Sequence, residues 1–268
     1  MRGVTESPRY PTSIGHADPE SITLLGRDLA DELIGRLSFG ELAFWLVALR
    51  RPSPGELRVF EAVLVALADH GLTPSAIAAR LTLTGAPESV QGALAAGLLG
   101  GGSRYLGVTE DCGRFLAAAL AAHDGELPSD DAGWDALAQA IVQRQRDAGL
   151  LVPGLGHPLH KDGDPRTPVL IAVAADAGVR GPHLRLFEAI GRVHPSVLGR
   201  TLPLNGAGVC GAALADLGFP VDTLRGFALL ARTAGLLGHL AEEQRRPIGS
   251  AVYNAVDRAT NYINPPPQ

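Results

Sequence analysis

Apolar residues recur at intervals of three and four along most of this chain, while alternation at every second position is scarce. Leu57, Phe60, Leu64 and Leu67 form one stripe of a helix that opens after Pro52-Ser53-Pro54-Gly55. Trp134, Leu137 and Ile141, followed by polar residues from Gln143 to Asp147, mark a second helix. Leu186, Phe187 and Ile190 share a face of a third, near His183 to Val193. Leu224 to Glu243 reads as a longer helix, apolar nearly all round in its middle and therefore expected to be buried. Gly100-Gly101-Gly102-Ser103 ends a helix at Leu99, and Pro203-Leu204-Asn205-Gly206 precedes a new start. Residues 1 to about 11 and Pro265-Pro266-Pro267-Gln268 read as tails. The pattern predicts an all-α architecture without a repeat of fixed period.

Composition narrows the classes of function. A chain of 268 residues, 46% hydrophobic and 19% charged, can bury a substantial core as one large domain or two small ones. A formal charge of -5 argues against a nucleic-acid partner, which selects for a basic face. The N-terminus has no apolar signal core, and no apolar run reaches the roughly 18 residues of a membrane span, so a cytoplasmic protein is expected. Cys112 and Cys210 are isolated thiols without metal-ligand spacing. A reduced pair is the simpler reading, a disulfide between them the alternative, and no metal is expected.

The densest chemistry lies in Leu151-Val-Pro-Gly-Leu-Gly-His-Pro-Leu-His-Lys-Asp-Gly-Asp-Pro-Arg166. Gly154 and Gly156 let the backbone bend closely around a ligand. His157 can exchange a proton near neutral pH, and Lys161 and Arg166 supply cations for phosphate or carboxylate. Such a loop suits a flat, amide-rich ligand with an anionic tail and an anionic reacting end. Arg232 interrupts an otherwise apolar stretch from Phe227 to Leu237. Burying it requires a partner anion, either a ligand or an acidic side chain such as Glu242.

These residues resemble the citrate synthase superfamily, and within it the citryl-CoA lyase branch. The resemblance runs from Thr12-Ser13-Ile14 to about Tyr262. Beside Pro153, the Gly-His loop and Asp164-Pro165-Arg166, it rests on three further motifs in the expected order. They are Ala68-Asp69-His70-Gly71, Gly97-Leu98-Leu99 followed by Gly102-Ser103-Arg104, and Ala231-Arg232-Thr233-Ala234-Gly235-Leu236 followed by His239. The resemblance implies an intertwined helical homodimer or higher homo-oligomer. It places a large domain at 1–104 and 215–268 and a small domain at 105–214, with coenzyme A between them. The thioester is then substrate or product, with no permanently bound cofactor. By matching positions, Pro153, Gly154, Leu155, Gly156 and Lys161 contact coenzyme A. His157 and His70 are the implied catalytic positions, His157 facing the reacting oxygen and His70 contacting a small hydroxy or keto acid that Arg166, Arg232 and Asn205 bind; for His70 a helix-capping role is the alternative.

Three positions depart from the superfamily pattern. Gly101 to Gly107 lacks the histidine that polarises the thioester in citrate synthases, an absence shared with the lyases. Asn205-Gly206-Ala207 puts a methyl group where the superfamily carries an aspartate that moves a proton at the thioester α-carbon. Asn254 follows Tyr253 where relatives supply an arginine to the partner subunit. The expected activity is therefore carbon–carbon cleavage or formation of a 3-hydroxyacyl-CoA, not ordinary citrate synthesis. The alternative is an acyl-CoA-binding or regulatory protein that has lost turnover.

Overall fold

The computed structural model describes residues 10–266. Most of the tail at residues 1–11, and the last two residues of the C-terminal one, lie outside that range. The chain falls into two compact units, Met1–Leu57 and Arg58–Gln268.

The first unit holds the only strands among the described residues, a small antiparallel sheet of β1 (Gly15–Ala17), β2 (Ile22–Leu24) and β3 (Arg27–Asp28). Its strands are two or three residues long, too short to print an alternating pattern. The β2–β3 turn is a two-residue loop in which Leu25 and Gly26 both take positive φ, 52° and 75°, the handedness that suits a tight hairpin. Helix α1 (Phe39–Ala48) follows, its first turn capped by the Ser38 side chain.

Ten more α-helices complete the described chain. They are α2 (Pro54–Ala68), α3 (Pro74–Gly85), α4 (Val90–Leu99), α5 (Val108–Ala121), α6 (Asp131–Asp147), α7 (Arg166–Asp176), α8 (Pro182–Leu198), α9 (Gly206–Asp216), α10 (Leu224–Arg245) and α11 (Gly249–Ala259). The predicted all-α architecture holds, and the predicted stripes are where apolar burial is found. Phe60 and Leu67 of α2, Trp134 and Ile141 of α6, and Leu186, Phe187 and Ile190 of α8 are all buried. Helix α8 runs five residues past the expected end at Val193, through Pro195. His194 secures that turn: its Nδ1 contacts the Ile190 carbonyl, and its Nε2 accepts from the Leu202 amide.

Helix α10 corrects one expectation. It is buried along one stripe, not all round: Phe227, Ala231, Leu236 and Leu240 face inward, while Leu237 remains 48% exposed. The inner stripe packs with Ala79 and Leu83 of α3 and Ala93 of α4. Phe227 also meets Phe60 edge-on, with ring centroids 5.1 Å apart. At the middle of α10, Gly235 lies so close to the Ala68 carbonyl that any Cβ would collide with it. That contact sets α10 against the C-terminal end of α2, bringing Arg232 and His239 to Asp69 and His70.

Candidate active site

The loop between α6 and α7 is held against the segment that leads into α9. Gly154 and Gly156 both adopt φ of 87°, which only glycine enters without strain. Their carbonyls are used at once: Gly154 O accepts from the Asn205 amide at 2.9 Å, and Gly156 O from Asn205 Nδ2 at 2.8 Å. The Gly156 amide donates to Pro203 O at 2.7 Å. Asn205 then caps α9 by accepting from the Gly208 amide. A Cβ on Gly208 would stand 2.7 Å from the Gly154 Cα, so the approach of loop to helix needs glycine there.

Asp164 anchors the far end of the loop. Its side chain is fully buried and accepts from Arg166 Nε at 3.0 Å, Arg166 Nη2 at 2.8 Å and the Gly206 amide at 2.7 Å. Burial alone would raise its pKa, but the Arg166 guanidinium and the amides outweigh it and hold the carboxyl well below the usual range. Arg166 also donates Nη1 to Ala66 O at 3.2 Å. Its charge is thus matched within the protein.

Arg232 is not matched in this way. It is 6% exposed, and its buried Nε has no hydrogen-bond partner among the described residues. Its one ion pair among the described residues is a long contact of 3.5 Å to Asp69, whose same oxygen also meets His239 Nε2 at 2.9 Å. Burial lowers the Arg232 pKa, Asp69 opposes the shift, and Arg166 adds to it. Glu242, the acidic partner that the sequence offered, pairs instead with Arg80 at 2.9 Å.

Three imidazoles gather beside these arginines. The His70 and His157 ring centroids are 5.3 Å apart, and His157 and His160 are separated by 4.5 Å. His70 Nε2 lies 3.3 Å from His160 Nε2. His157 Nδ1 accepts from the amides of Leu159 at 3.1 Å and His160 at 2.9 Å. That leaves the proton of the neutral ring on Nε2, so His157 presents a hydrogen-bond donor. The pKa of His70 is lowered by burial, then by Arg166 and His160; that of His157 by burial, then by His160. Ligating atoms of all three lie within 4.8 Å of one another, a spacing compatible with a metal ion. His157 fits that role poorly, because a ligand nitrogen at Nε2 would require the proton on the Nδ1 that already accepts two amides.

A cavity of about 920 Å³ brings together His70, Pro153 to His157, Arg166, Asn205, Ala207 and Arg232. Of the residues that the resemblance assigns to coenzyme A and to the acid, Lys161 alone lies outside it, on a neighbouring groove of about 670 Å³ that also includes Arg192 and Thr201. Exposed Arg104 and Arg200 line the main cavity in its place, together with the outward-facing Leu150, Leu151 and Leu159. Asp69 and Asp164 carry the charge balance and His160 joins the imidazole cluster, roles that the motifs alone do not reveal. Only the spacing from His157 to His160 hinted that a second imidazole could return to the same point.

Residues 14–250 match a family model described as citrate synthase, C-terminal domain. The fold is similar to that of citryl-CoA lyase from Hydrogenobacter thermophilus, with a TM-score of 0.83 and 30% identity over 97% of this chain and 96% of that one. ATP citrate lyase from Methanothrix soehngenii, solved in complex with citrate and coenzyme A, shares the fold at a TM-score of 0.78. Identity there is 23%, over 98% of this chain and 43% of the other. The 2-methylcitrate synthase 1 of Corynebacterium glutamicum is 27% identical over 220 residues, 76% of this chain and 51% of that protein. The chain spans about half the length of the curated synthases it matches. Among the described residues, no helix is long and apolar enough to cross a membrane.

Proposed function

Given that this chain belongs to the citrate synthase family, we propose that it is a carbon–carbon lyase of citryl-CoA lyase type, cleaving or forming a 3-hydroxyacyl-CoA. The observation that carries this reading is the buried, under-neutralised Arg232 in the same cavity as the donor His157. A carboxylate of the acid half satisfies Arg232 in a planar, two-bond arrangement. His157 Nε2–H then donates to the oxygen that alternates between hydroxyl and carbonyl. Pro153, Gly154, Leu155 and Gly156 wrap the adenine or pantetheine arm of coenzyme A. Phosphate contacts fall to Arg104 and Arg200 in the cavity and to Lys161 on the outer side of the loop. His70 completes the acid pocket; Arg166, whose guanidinium Asp164 and the Ala66 carbonyl already occupy, adds positive charge to it, and Asn205 acts chiefly through the loop that it ties down.

Coenzyme A is a substrate or product in this scheme, with no resident cofactor. A small domain of 105–214 closes over a large domain of 1–104 and 215–268, and closure excludes water from the enolate. Two copies pair as a homodimer or build a higher homo-oligomer, covering exposed apolar residues such as Val65, Leu99 and Leu237. The buried free thiols accord with a cytoplasmic setting.

Ala207 favours a second reading, an acyl-CoA-binding or regulatory protein without turnover, because its methyl group cannot carry a proton. One experiment separates the two. Calorimetry tests coenzyme A binding, and chromatography of a panel of 3-hydroxyacyl-CoAs detects the shortened acyl-CoA and the released oxo acid. Binding with cleavage supports the lyase, binding alone supports the second reading, and failure to bind removes both.

A further inference from the structure

We propose that His70 and His160 act as a single proton carrier, standing in for the carboxylate missing at Ala207. This inference rests on the reading of the cavity as a coenzyme A thioester site. Cleavage of a 3-hydroxyacyl thioester moves one proton, from the 3-hydroxyl to the α-carbon. The carrier must therefore both take a proton and give it back.

The acids nearby are poorly suited to that task. Asp164 is fully buried, saturated by Arg166 and two amides, and held ionised. Asp69 is committed to His239 and the Gly71 amide, with Arg232 alongside. His157 offers Nε2–H and has its Nδ1 filled by the amides of Leu159 and His160.

The His70 and His160 pair is built differently. Their Nε2 atoms face each other at 3.3 Å, within reach of one shared hydrogen bond, in a T-shaped arrangement. When His70 donates from Nε2 to His160, its own Nδ1 is a bare base. A proton taken there allows the Nε2 proton to pass to His160, which spreads the positive charge over two rings. Arg166 and Arg232 stand close to His70 and disfavour its charged form, which favours return of the proton. The backbone amide of His160 meanwhile fixes the donor tautomer of His157. One residue thus sets both functions.

The step balances without a further reactant. The 3-hydroxyl proton passes to His70, and the C2–C3 bond breaks with its electron pair entering the thioester as an enolate. The 3-oxygen becomes a carbonyl hydrogen-bonded by His157, and the pair returns the proton to C2.

Deuterium incorporation into the methyl group of acetyl-CoA in D2O, followed by mass spectrometry, tests the proton transfer at carbon by itself. The unaltered chain should exchange. His160→Gln keeps a hydrogen-bonding amide but cannot relay a proton; at saturating acetyl-CoA it should slow exchange about 100-fold, with coenzyme A affinity and thermal stability retained. Ala207→Asp should restore most of the lost rate in the His160→Gln background and add little to the parent; a purely structural role for His160 would leave the aspartate's effect the same in both. Asp111, the one acid among the described residues that lines the cavity, should be replaceable by Asn without loss. The proposal is overturned by His160→Gln exchanging within twofold of the parent, by Asp111→Asn abolishing exchange, or by an unaltered chain that binds coenzyme A and does not exchange. Failure of that chain to bind coenzyme A withdraws the cavity reading itself, and the relay with it.

Discussion

Arg232 comes no closer than 3.5 Å to Asp69, while His239 takes the same carboxylate oxygen at 2.9 Å. A buried guanidinium with so weak a partner is costly in the empty protein and valuable once an anion arrives. Arg232→Met should therefore leave the melting temperature unchanged or raise it. The same substitution should weaken use of a carboxylated hydroxyacyl-CoA by about 10- to 100-fold, the effect of one lost charged hydrogen bond. Thermal melts and steady-state kinetics on one preparation measure both.

Arg166 behaves oppositely, because Asp164 grips it with two hydrogen bonds. Asp164→Ala should destabilise the fold by about 3–5 kcal/mol, as expected when one member of a buried pair is removed and its charge is stranded. Urea unfolding followed by circular dichroism gives the value. A loss below 1 kcal/mol would mean that the loop is held by its backbone contacts alone.

Stability should fall on the acid side of neutrality, and the sign follows from the shifts. His70 and His157 have folded pKa values below the ordinary one, through burial first and then neighbouring positive charge. Above about pH 6.5 both rings are neutral in folded and unfolded chains and contribute no slope. Below it the unfolded chain binds protons first, so stability drops as pH falls through the folded values. Asp164, also depressed, adds a second loss below the ordinary carboxylate range. Melting temperatures from about pH 2 to 8 test both losses, and His70→Gln/His157→Gln should flatten the upper part of the slope.

Burial pushes the Cys210 thiol up to about 12, and Cys112 rises for the same reason. Neither should react with an aromatic disulfide reagent in the native protein, and both should react in denaturant. Fast labelling before unfolding would show that α5 and α9 open locally.

The helices were legible because Leu186, Phe187 and Ile190, or Trp134 and Ile141, repeat at the spacing of a single helical face. The sheet at Gly15 to Asp28 was not, since three-residue strands carry too few positions for a period. The outer face of α10 misled for a different reason. Alanine, leucine and glycine look buried in sequence whether or not a neighbour covers them. At the site, His157, His70, Arg166 and Arg232 could be found through motifs. Their charge balance could not, because Asp69 with Arg232 and His70 with His160 are pairs 163 and 90 residues apart. Only the folded chain shows which arginine is spoken for.

The most direct test of the account compares the unaltered chain with His157→Ala on a 3-hydroxyacyl-CoA that the unaltered chain cleaves, scoring the acyl-CoA product by mass spectrometry. Coenzyme A affinity should stay within a few-fold, while cleavage falls by about 100-fold or more, the loss expected for one donor at a developing oxyanion. Cleavage at the parental rate in His157→Ala would contradict the account, because no imidazole at that position would then be touching the reacting oxygen.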